Sequence, residues 1–154
     1  MAEKETPRTF IDASGLILGR MSSIVAKRLL AGESIVIINA EKAIISGKRL
    51  SRVKEAQAFL KKGHFRKGPY HPRRPDQIIR RAIRGMLPRR LPKGQVAFRR
   101  LKVFIGVPFE FKDKSFQSIA KAGVNKLKCP YVTVGEYAKE IGYGVIGEQY
   151  VKLN

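Results

Sequence analysis

The spacing of apolar residues near the start of the chain predicts a strand, a helix and a second strand. Residues 10–13 form a short, mostly apolar segment, and residues 21–29 place apolar side chains at helical spacing with basic residues opposite. Gly32 suits the end of this helix, where a left-handed residue is tolerated. Residues 35–38 are an unbroken β-branched run, which is typical of a strand buried on both faces of a parallel sheet. The order predicts a βαβ unit with a right-handed crossover.

Further elements are predicted along the rest of the chain. A second helix covers residues 50–60, and a third begins at Pro75, because proline and then Asp76 suit the first turn of a helix. Residues 63–74, between these helices, are predicted to be an extended surface loop. The remaining predicted elements are a helical turn at 96–101, strands at 101–105 and 131–134, short helical pieces within 116–122, and a closing helix at 135–141. Together they predict one α/β domain over residues 1–154 with a basic insertion.

The composition is that of a globular domain with a strongly basic surface. A chain of 154 residues with 44% hydrophobic residues can bury a core, which a disordered basic tail cannot. Its 32 Lys and Arg residues against 12 Asp and Glu residues give a net charge of +20. A surface of this charge repels itself, so it favours a polyanionic partner, and nucleic acid is the first candidate.

A strongly basic protein can also bind a membrane surface, but the sequence does not favour membrane binding. It shows no basic amphipathic helix with large apolar anchors, no lipidation signal and no apolar run of membrane-spanning length. Residues 1–9 carry mixed charges and lack the apolar region of a secretory signal. We therefore expect an intracellular protein.

Most of the charge lies in residues 62–102, which we call the basic segment. It holds 14 Lys and Arg residues against the single carboxylate of Asp76, a local charge of +13. Five prolines stiffen it, and aromatic and imidazole rings interleave with its charges, at His64, Phe65, Tyr70, His71 and Phe98. Arginine forks onto phosphate oxygens and aromatic rings stack on bases, so the pattern predicts RNA contact. Duplex DNA is disfavoured, because no helix-turn-helix, zinc finger or basic zipper is recognisable.

The candidate RNA-binding residues are basic and aromatic side chains of this segment, extended by three basic residues beside the second predicted helix. Exposed arginines of an ordinary helix alternate with glutamate, whereas here only Asp76 is nearby, so bound phosphates are the better explanation. The candidates are Lys48, Arg49, Arg52, His64, Arg66, Lys67, Tyr70, His71, Arg73, Arg74, Arg80, Arg81, Arg84, Arg89, Arg90, Lys93, Arg99 and Arg100.

A nucleotide-using enzyme is the alternative class, and its motifs are incomplete. Residues 14–20 lie between a strand and a helix, but their two glycines are four apart and do not match the dinucleotide fingerprint. Residues 46–48 resemble the end of a phosphate-binding loop whose first glycine is replaced by Lys42. The carboxylates form no evident acid–base pair, and His64 and His71 lie near no nucleophile in sequence. We therefore expect no enzyme activity, no cofactor and no small-molecule substrate.

Metal and disulfide chemistry are not indicated either. Cys129 is the only cysteine, so we expect it to be a small buried or half-buried residue rather than a ligand. The two histidines lack the Cys or carboxylate pattern of a zinc site. No metal is expected.

The ordered set of short motifs resembles the L-thirteen family of large-subunit ribosomal proteins, in its archaeal or eukaryotic form. The resemblance runs from about residue 10 to residue 108, and residues 131–142 are similar to the family's final strand and helix. The motifs that carry it are Ile11-Asp12-Ala13, Leu18-Gly19-Arg20 with Ala26-Lys27, Asn39-Ala40-Glu41 with Ile45-Ser46-Gly47, Gly68-Pro69-Tyr70-His71, Arg74-Pro75, Arg84-Gly85-Met86-Leu87-Pro88, and Leu101-Lys102-Val103-Phe104 with Gly106-Val107-Pro108.

The resemblance implies a three-layer α/β/α fold around a small parallel sheet and a structural role in the large subunit of the cytoplasmic ribosome. It implies binding to large-subunit rRNA in early assembly, with neighbouring ribosomal proteins as further partners. The segments that it implies for RNA contact are residues 68–74, the face of Arg80, Arg81 and Arg84, and the loop that follows residue 88. One departure is residues 89–94, where the family commonly has a His-Lys-Thr-like stretch. A general basic nucleic-acid-binding or translational-control protein outside the ribosome is the remaining alternative.

Overall fold

The computed structural model describes residues 8–64 and 66–144, and three parallel strands form its centre. In chain order the elements are β1 (Arg8–Asp12), α1 (Leu18–Leu30), β2 (Ser34–Ile38), β3 (Ile44–Ser46), α2 (Arg49–Lys61), α3 (Pro75–Met86), α4 (Pro92–Arg99), β4 (Leu101–Val103), β5 (Tyr131–Thr133) and α5 (Val134–Glu140). The parallel sheet has the order β1-β2-β4, with Phe10 opposite Val36 and Ile37 opposite Val103. The predicted βαβ unit is therefore confirmed as parallel pairing of β1 with β2.

The central strand β2 is buried on both faces, as its apolar run predicts. Ile35 and Ile37 belong to the larger core, which lies on the side of the sheet covered by α1 and α3. Ile79 and Ile83 of α3 lie four residues apart, so they share one face of the helix, and both are fully buried in this core. Helix α3 begins at Pro75, where the sequence places it.

The other face of the sheet carries a smaller core built from aromatic rings. Val36 and Ile38 pack there with Phe111, whose ring centroid lies 5.2 Å from that of Phe10 and 5.6 Å from that of Phe104. A 3₁₀ helix, Phe109–Phe111, supplies the covering ring. The α/β class with a small parallel sheet is confirmed, and a 3₁₀ helix with its aromatic neighbours forms the layer on this face.

A second, antiparallel pair of strands was not predicted. Strand β3 pairs with β5, with Ile45 opposite Val132. Each strand has three residues, so neither shows a run long enough to indicate pairing, and their partners lie far apart in sequence. Helix α5 follows β5 directly, and Thr133 caps it by exchanging hydrogen bonds with Glu136 in a capping box.

Helix α2 has its predicted position but not a continuous apolar stripe in the core. Leu50 is 85% exposed and Phe59 is 46% exposed, whereas Ala56 is the one buried residue of this helix. Helix α4 is longer than the predicted turn at residues 96–101, because Pro92 begins it and Gly94 packs against the carbonyl of Pro88.

The expectation for Cys129 was wrong, because its side chain is exposed. Residues 128–130 precede β5 on the surface of the protein. A lone cysteine behaves as a small buried residue where it lies in an apolar element, and Cys129 lies in a loop.

Candidate nucleic-acid interface

Helix α3 presents a row of arginines because its two faces differ. Ile79 and Ile83 anchor one face in the core, so Arg80, Arg81 and Arg84 emerge on the other side. Arg84 is exposed, whereas Arg80 and Arg81 are half-buried. The side chains of Arg80 and Arg81 therefore lie partly within the protein surface rather than free in solvent.

The loop that precedes α3 contacts α2 and α3 near its C-terminal end. At its start, His64 and Gly68 exchange two backbone hydrogen bonds of 3.1 and 2.9 Å, which close the loop on itself. Further on, the ring of His71 stacks on Phe59 of α2 with centroids 4.0 Å apart, and His71 Nδ1 lies 2.7 Å from Arg81 Nη1. The guanidinium of Arg81 lies over the Phe59 ring, 5.3 Å from its centroid. These contacts join the loop, α2 and α3.

Three concavities run along the basic segment and share residues with one another. The central cavity, of about 560 Å³, lies between the loop and α3 and includes Tyr70, His71 and Arg80. A cavity of about 450 Å³ shares Tyr70 and His71 with it and extends toward His64. A third, of about 390 Å³, shares Arg84 with the central cavity and extends toward α4. We call this continuous depression the basic groove.

The structure brings half of the candidate residues together in the basic groove. The nine that line it are His64, Tyr70, His71, Arg73, Arg80, Arg81, Arg84, Arg89 and Arg99. The nine that lie outside its lining are Lys48, Arg49, Arg52, Arg66, Lys67, Arg74, Arg90, Lys93 and Arg100. The sequence therefore marks out a wider set of candidate residues than the groove brings together.

Most of the candidate side chains are exposed. The half-buried candidates are Arg52, His71, Arg80, Arg81 and Arg100, and the others are exposed. Arg100 lies away from the groove, beside Gly32 in the turn before β2. The half-buried members of the groove, His71, Arg80 and Arg81, are thus the ones whose positions the protein itself fixes.

Some candidate arginines already have partners within the protein. Arg49 forms an ion pair with Glu140 of α5, and Arg52 pairs with Glu55 at 3.1 Å while donating to the carbonyl of Ser46 at 2.9 Å. Glu140 lies 91 residues from Arg49, so sequence neighbours could not indicate this pair. These two guanidinium groups are therefore less available to phosphate than those of the basic groove.

Asp76 forms an ion pair with Arg74, which lies outside the lining of the groove. Its carboxylate is nearly buried and accepts hydrogen bonds from Arg74 Nε at 3.1 Å and from Gln77 Nε2 at 3.3 Å. Among the residues that the structure describes, Arg80, Arg81 and Arg84 form no ion pair. The charge of the α3 face is thus uncompensated.

The chemistry of His71 follows from its surroundings. Burial, with a smaller contribution from the positive charge of Arg81, lowers the pKa of His71 below its ordinary value of 6.5. The ring is therefore neutral near pH 7. Because a guanidinium can only donate hydrogen bonds, His71 Nδ1 must accept from Arg81, and the ring proton lies on Nε2.

The same chain segment that builds the sheet and the groove matches a known family. The family model described as Ribosomal protein L13 matches residues 8–110, which include the parallel sheet and the whole basic segment. The chain belongs to the ribosomal protein L13 family. The resemblance found in the motifs is confirmed.

Individual members of the ribosomal protein L13 family resemble the chain over most of its length. It is 49% identical over 136 residues to the large ribosomal subunit protein uL13 of Methanosarcina barkeri, covering 87% of this chain and 97% of the relative. It is 45% identical over 135 residues to the uL13 protein of Methanococcoides burtonii, covering 87% of this chain and 97% of the relative. It is 44% identical over 144 residues to the uL13 protein of Methanopyrus kandleri, covering 92% of this chain and 91% of the relative.

In this member of the ribosomal protein L13 family, the groove and its supports include side chains that were not among the sequence candidates. Phe98 and Gln77 line the central cavity, and Phe59 supports His71 from α2. Phe98 precedes Arg99 and is one of the rings that the sequence places among the charges, although it was not among the candidate residues. Phe59 gave none, because only the fold brings α2 to the loop.

Neither a cluster of metal ligands nor a membrane-spanning helix is found in the described part of this family member. Within residues 8–64 and 66–144, no group of three or more His, Cys, Asp or Glu side chains is placed to hold a metal ion. In the same part of the chain, no helix has the length and apolar character needed to cross a membrane.

Proposed function

We propose that this protein is a structural component of the large ribosomal subunit and that its basic groove binds large-subunit rRNA. The observation that carries the proposal is the groove itself. Three joined concavities are lined by guanidinium groups and rings, and no carboxylate is among the described side chains that line them. Relatives named as large ribosomal subunit proteins support the same role.

The charge of α3 favours a bound polyanion. Arg80 and Arg84 lie four residues apart on one helix, where like charges repel each other and destabilise the helix. Phosphate groups placed between them would turn this repulsion into attraction and release their own counterions. The exposed ring of Tyr70 beside these charges supports RNA over duplex DNA, because an unpaired base can stack on it.

The geometry of the glycine turn supports a non-enzymatic role. In a nucleotide-binding fold, the backbone N–H groups of such a turn would point at a phosphate. Here the amide of Gly15 donates to the carbonyl of Lys42, and the amide of Ile17 donates to the carbonyl of Ala122. These donors are already used inside the protein.

Neighbouring ribosomal proteins are the further partners that we propose, with the whole chain acting as one domain on the cytoplasmic ribosome. Two large apolar side chains support protein contacts outside the groove. Leu50 of α2 is 85% exposed, and Phe109 is 84% exposed. Neither lines the basic groove.

Protection of arginines from a guanidinium-specific reagent tests the proposed interface directly. The full chain would be treated with phenylglyoxal, alone and bound to large-subunit rRNA, and the modified residues would be identified by mass spectrometry. We expect Arg73, Arg84 and Arg89 to be protected by the RNA, whereas Arg28, which pairs with Glu33, should react equally in both samples. Equal protection of all four would indicate non-specific coating and would contradict the proposal.

A further inference from the structure

Two residues that line the central cavity, His71 and Arg80, each carry a buried hydrogen-bond donor that has no acceptor among the described residues. His71 Nε2 and Arg80 Nε are both buried, and neither has a hydrogen-bond partner in that part of the chain. The other ring nitrogen of His71 is occupied by Arg81, so Nε2 carries the proton and must donate. Buried donors without acceptors are uncommon and costly in folded proteins, so each requires an explanation.

Both donors are held in place without any ligand. The guanidinium of Arg80 lies 5.1 Å from the ring centroid of Phe98, and the His71 ring lies 4.0 Å from that of Phe59. These stacking contacts fix the direction of each group. Donors that are positioned beforehand bind an acceptor at a lower cost in conformational entropy than free side chains do.

The shape and lining of the cavity indicate what supplies the acceptor. Its volume of about 560 Å³ lies within the range of about 300–1,000 Å³ that is usual for pockets of small organic groups. Three guanidinium groups line it without a carboxylate, which favours an anion. Tyr70, which is 82% exposed, adds a flat ring at the same place. A nucleotide combines the two features that such a cavity would bind, a negatively charged group and a flat ring.

We propose that the central cavity holds one unstacked nucleotide of the bound RNA, with its oxygens accepting hydrogen bonds from Arg80 Nε and His71 Nε2 and its base stacked on Tyr70. This inference rests on the proposed function. It goes beyond a general electrostatic contact, because it assigns a single nucleotide to a single pocket. The pocket would thereby fix the position of the RNA along the groove.

Photo-crosslinking of the complex tests the pocket on the unmodified chain. Irradiation with ultraviolet light couples stacked bases to aromatic side chains, and mass spectrometry with sequencing identifies both partners. We expect Tyr70 to be linked to one position of large-subunit rRNA. Crosslinks from Tyr70 spread over many positions would overturn the pocket, as would their absence in a complex that forms with high affinity.

Matched variants separate hydrogen bonding from charge. Arg80→Lys keeps the positive charge but removes the planar donor fork, so affinity should fall about 10- to 100-fold with an unchanged salt slope. His71→Phe keeps a ring against Phe59 and should weaken binding to a similar extent. Arg28→Lys, which lies outside the basic groove, should stay within about threefold of the wild type. Binding by Arg80→Lys that equals binding by the wild type would overturn the inference.

The same experiments distinguish failure of the pocket from failure of the proposed function. If the wild type prefers large-subunit rRNA while Arg80→Lys and His71→Phe bind as it does, only the pocket is wrong. If the wild type shows no preference for that RNA, the proposed function fails as well. Competition by free mononucleotides at low concentration would also overturn the inference, because it would make the pocket a small-molecule site.

Discussion

Arg81 Nη1 lies 2.7 Å from His71 Nδ1, and this contact attaches the loop of the basic segment to α3. The same guanidinium lies over the ring of Phe59, so one arginine connects three parts of the chain. Arg81 thus differs from Arg84, which is exposed on the same helix. The difference between a structural arginine and an RNA-facing arginine can be measured.

Replacing Arg81 by Ala should lower both stability and RNA binding. The variant lacks the hydrogen bond to His71 and the cation–π interaction with Phe59, so we expect the free energy of unfolding to fall by about 1–2 kcal/mol. Arg84→Ala is the matched control and should change stability by less than about 0.5 kcal/mol. Urea unfolding of both variants measures the difference. Equal unfolding midpoints for the two variants would contradict the structural role of Arg81.

The triple replacement of Arg80, Arg81 and Arg84 by Ala should weaken RNA binding more than any single change. Each phosphate that the side chains no longer neutralise lowers the salt slope by about 0.7–0.9, so the slope counts how many of the three touch the RNA backbone. Binding is measured by filter retention or fluorescence anisotropy with large-subunit rRNA across a salt series. Unchanged affinity and slope would remove this helix face from the interface.

The lowered pKa of His71 predicts a pH dependence of stability. The unfolded chain binds the imidazole proton first as pH falls below about 6.5, whereas the folded chain resists protonation. The stability contributed by the neutral ring is therefore complete above that pH and is lost as pH falls toward and through the folded pKa. His71→Phe keeps the stacking partner of Phe59 and removes the titration. The unfolding free energy of His71→Phe should fall less than that of the wild type between about pH 7.5 and pH 5. If the two unfolding free energies fall in parallel with pH, the lowered pKa of His71 does not contribute to stability.

Asn39 is predicted to contribute to stability in two separable ways. Its backbone is left-handed with a φ of 53°, and its amide Nδ2 donates to Asp12 Oδ1 at 2.9 Å. Burial acts to raise the pKa of Asp12, but hydrogen bonds from Asn39 and Ser14 outweigh it and lower this pKa. Asn39→Gly loses the hydrogen bond but keeps a residue that tolerates the left-handed backbone, so it should cost about 1 kcal/mol. Asn39→Ala lacks the same hydrogen bond and also puts in the left-handed region a residue that tolerates it less well than Asn or Gly, so it should cost about 1–2 kcal/mol more. Equal thermal stability of the two variants would be the contrary result.

Gly94 and Gly85 form a matched pair in the two helices of the basic segment. A Cβ at Gly94 would lie 2.2 Å from the carbonyl oxygen of Pro88, so Gly94→Ala must displace the turn between α3 and α4. We expect the free energy of unfolding to fall by about 1–3 kcal/mol. A Cβ at Gly85 would meet no atom within 4 Å, and Gly85→Ala should be neutral or stabilising by up to about 1 kcal/mol. Chemical denaturation of both variants measures this difference in stability. A Gly85→Ala variant that is less stable than the wild type would contradict the prediction.

Elements with a clear local pattern were predictable from the sequence. The β-branched run of β2 alternates between two cores, and Pro75 marks the first turn of α3. Strands β3 and β5 were not predictable as a pair, because three residues each give no period and the pairing depends on the fold. The same reason explains the error at Cys129, whose exposure is decided by where its loop lies.

The sequence predicts which segment carries the positive charge of the candidate interface, but it does not predict the shape of the groove. The local excess of arginine indicated the basic segment, and the rings of Tyr70 and His71 indicated stacking. Sequence could not show that Phe59 supports His71, or that Glu140 neutralises Arg49 from a distant part of the chain. Contacts between residues distant in sequence decide which cations remain available to RNA.

The most direct test of rRNA binding compares three ligands of equal length across a salt series: large-subunit rRNA, an unrelated RNA and DNA. The basic groove predicts a strong preference for large-subunit rRNA that persists as salt is raised, because docking into a defined shape adds to counterion release. Equal affinities that collapse together with rising salt would contradict specific rRNA binding and leave only a general basic surface.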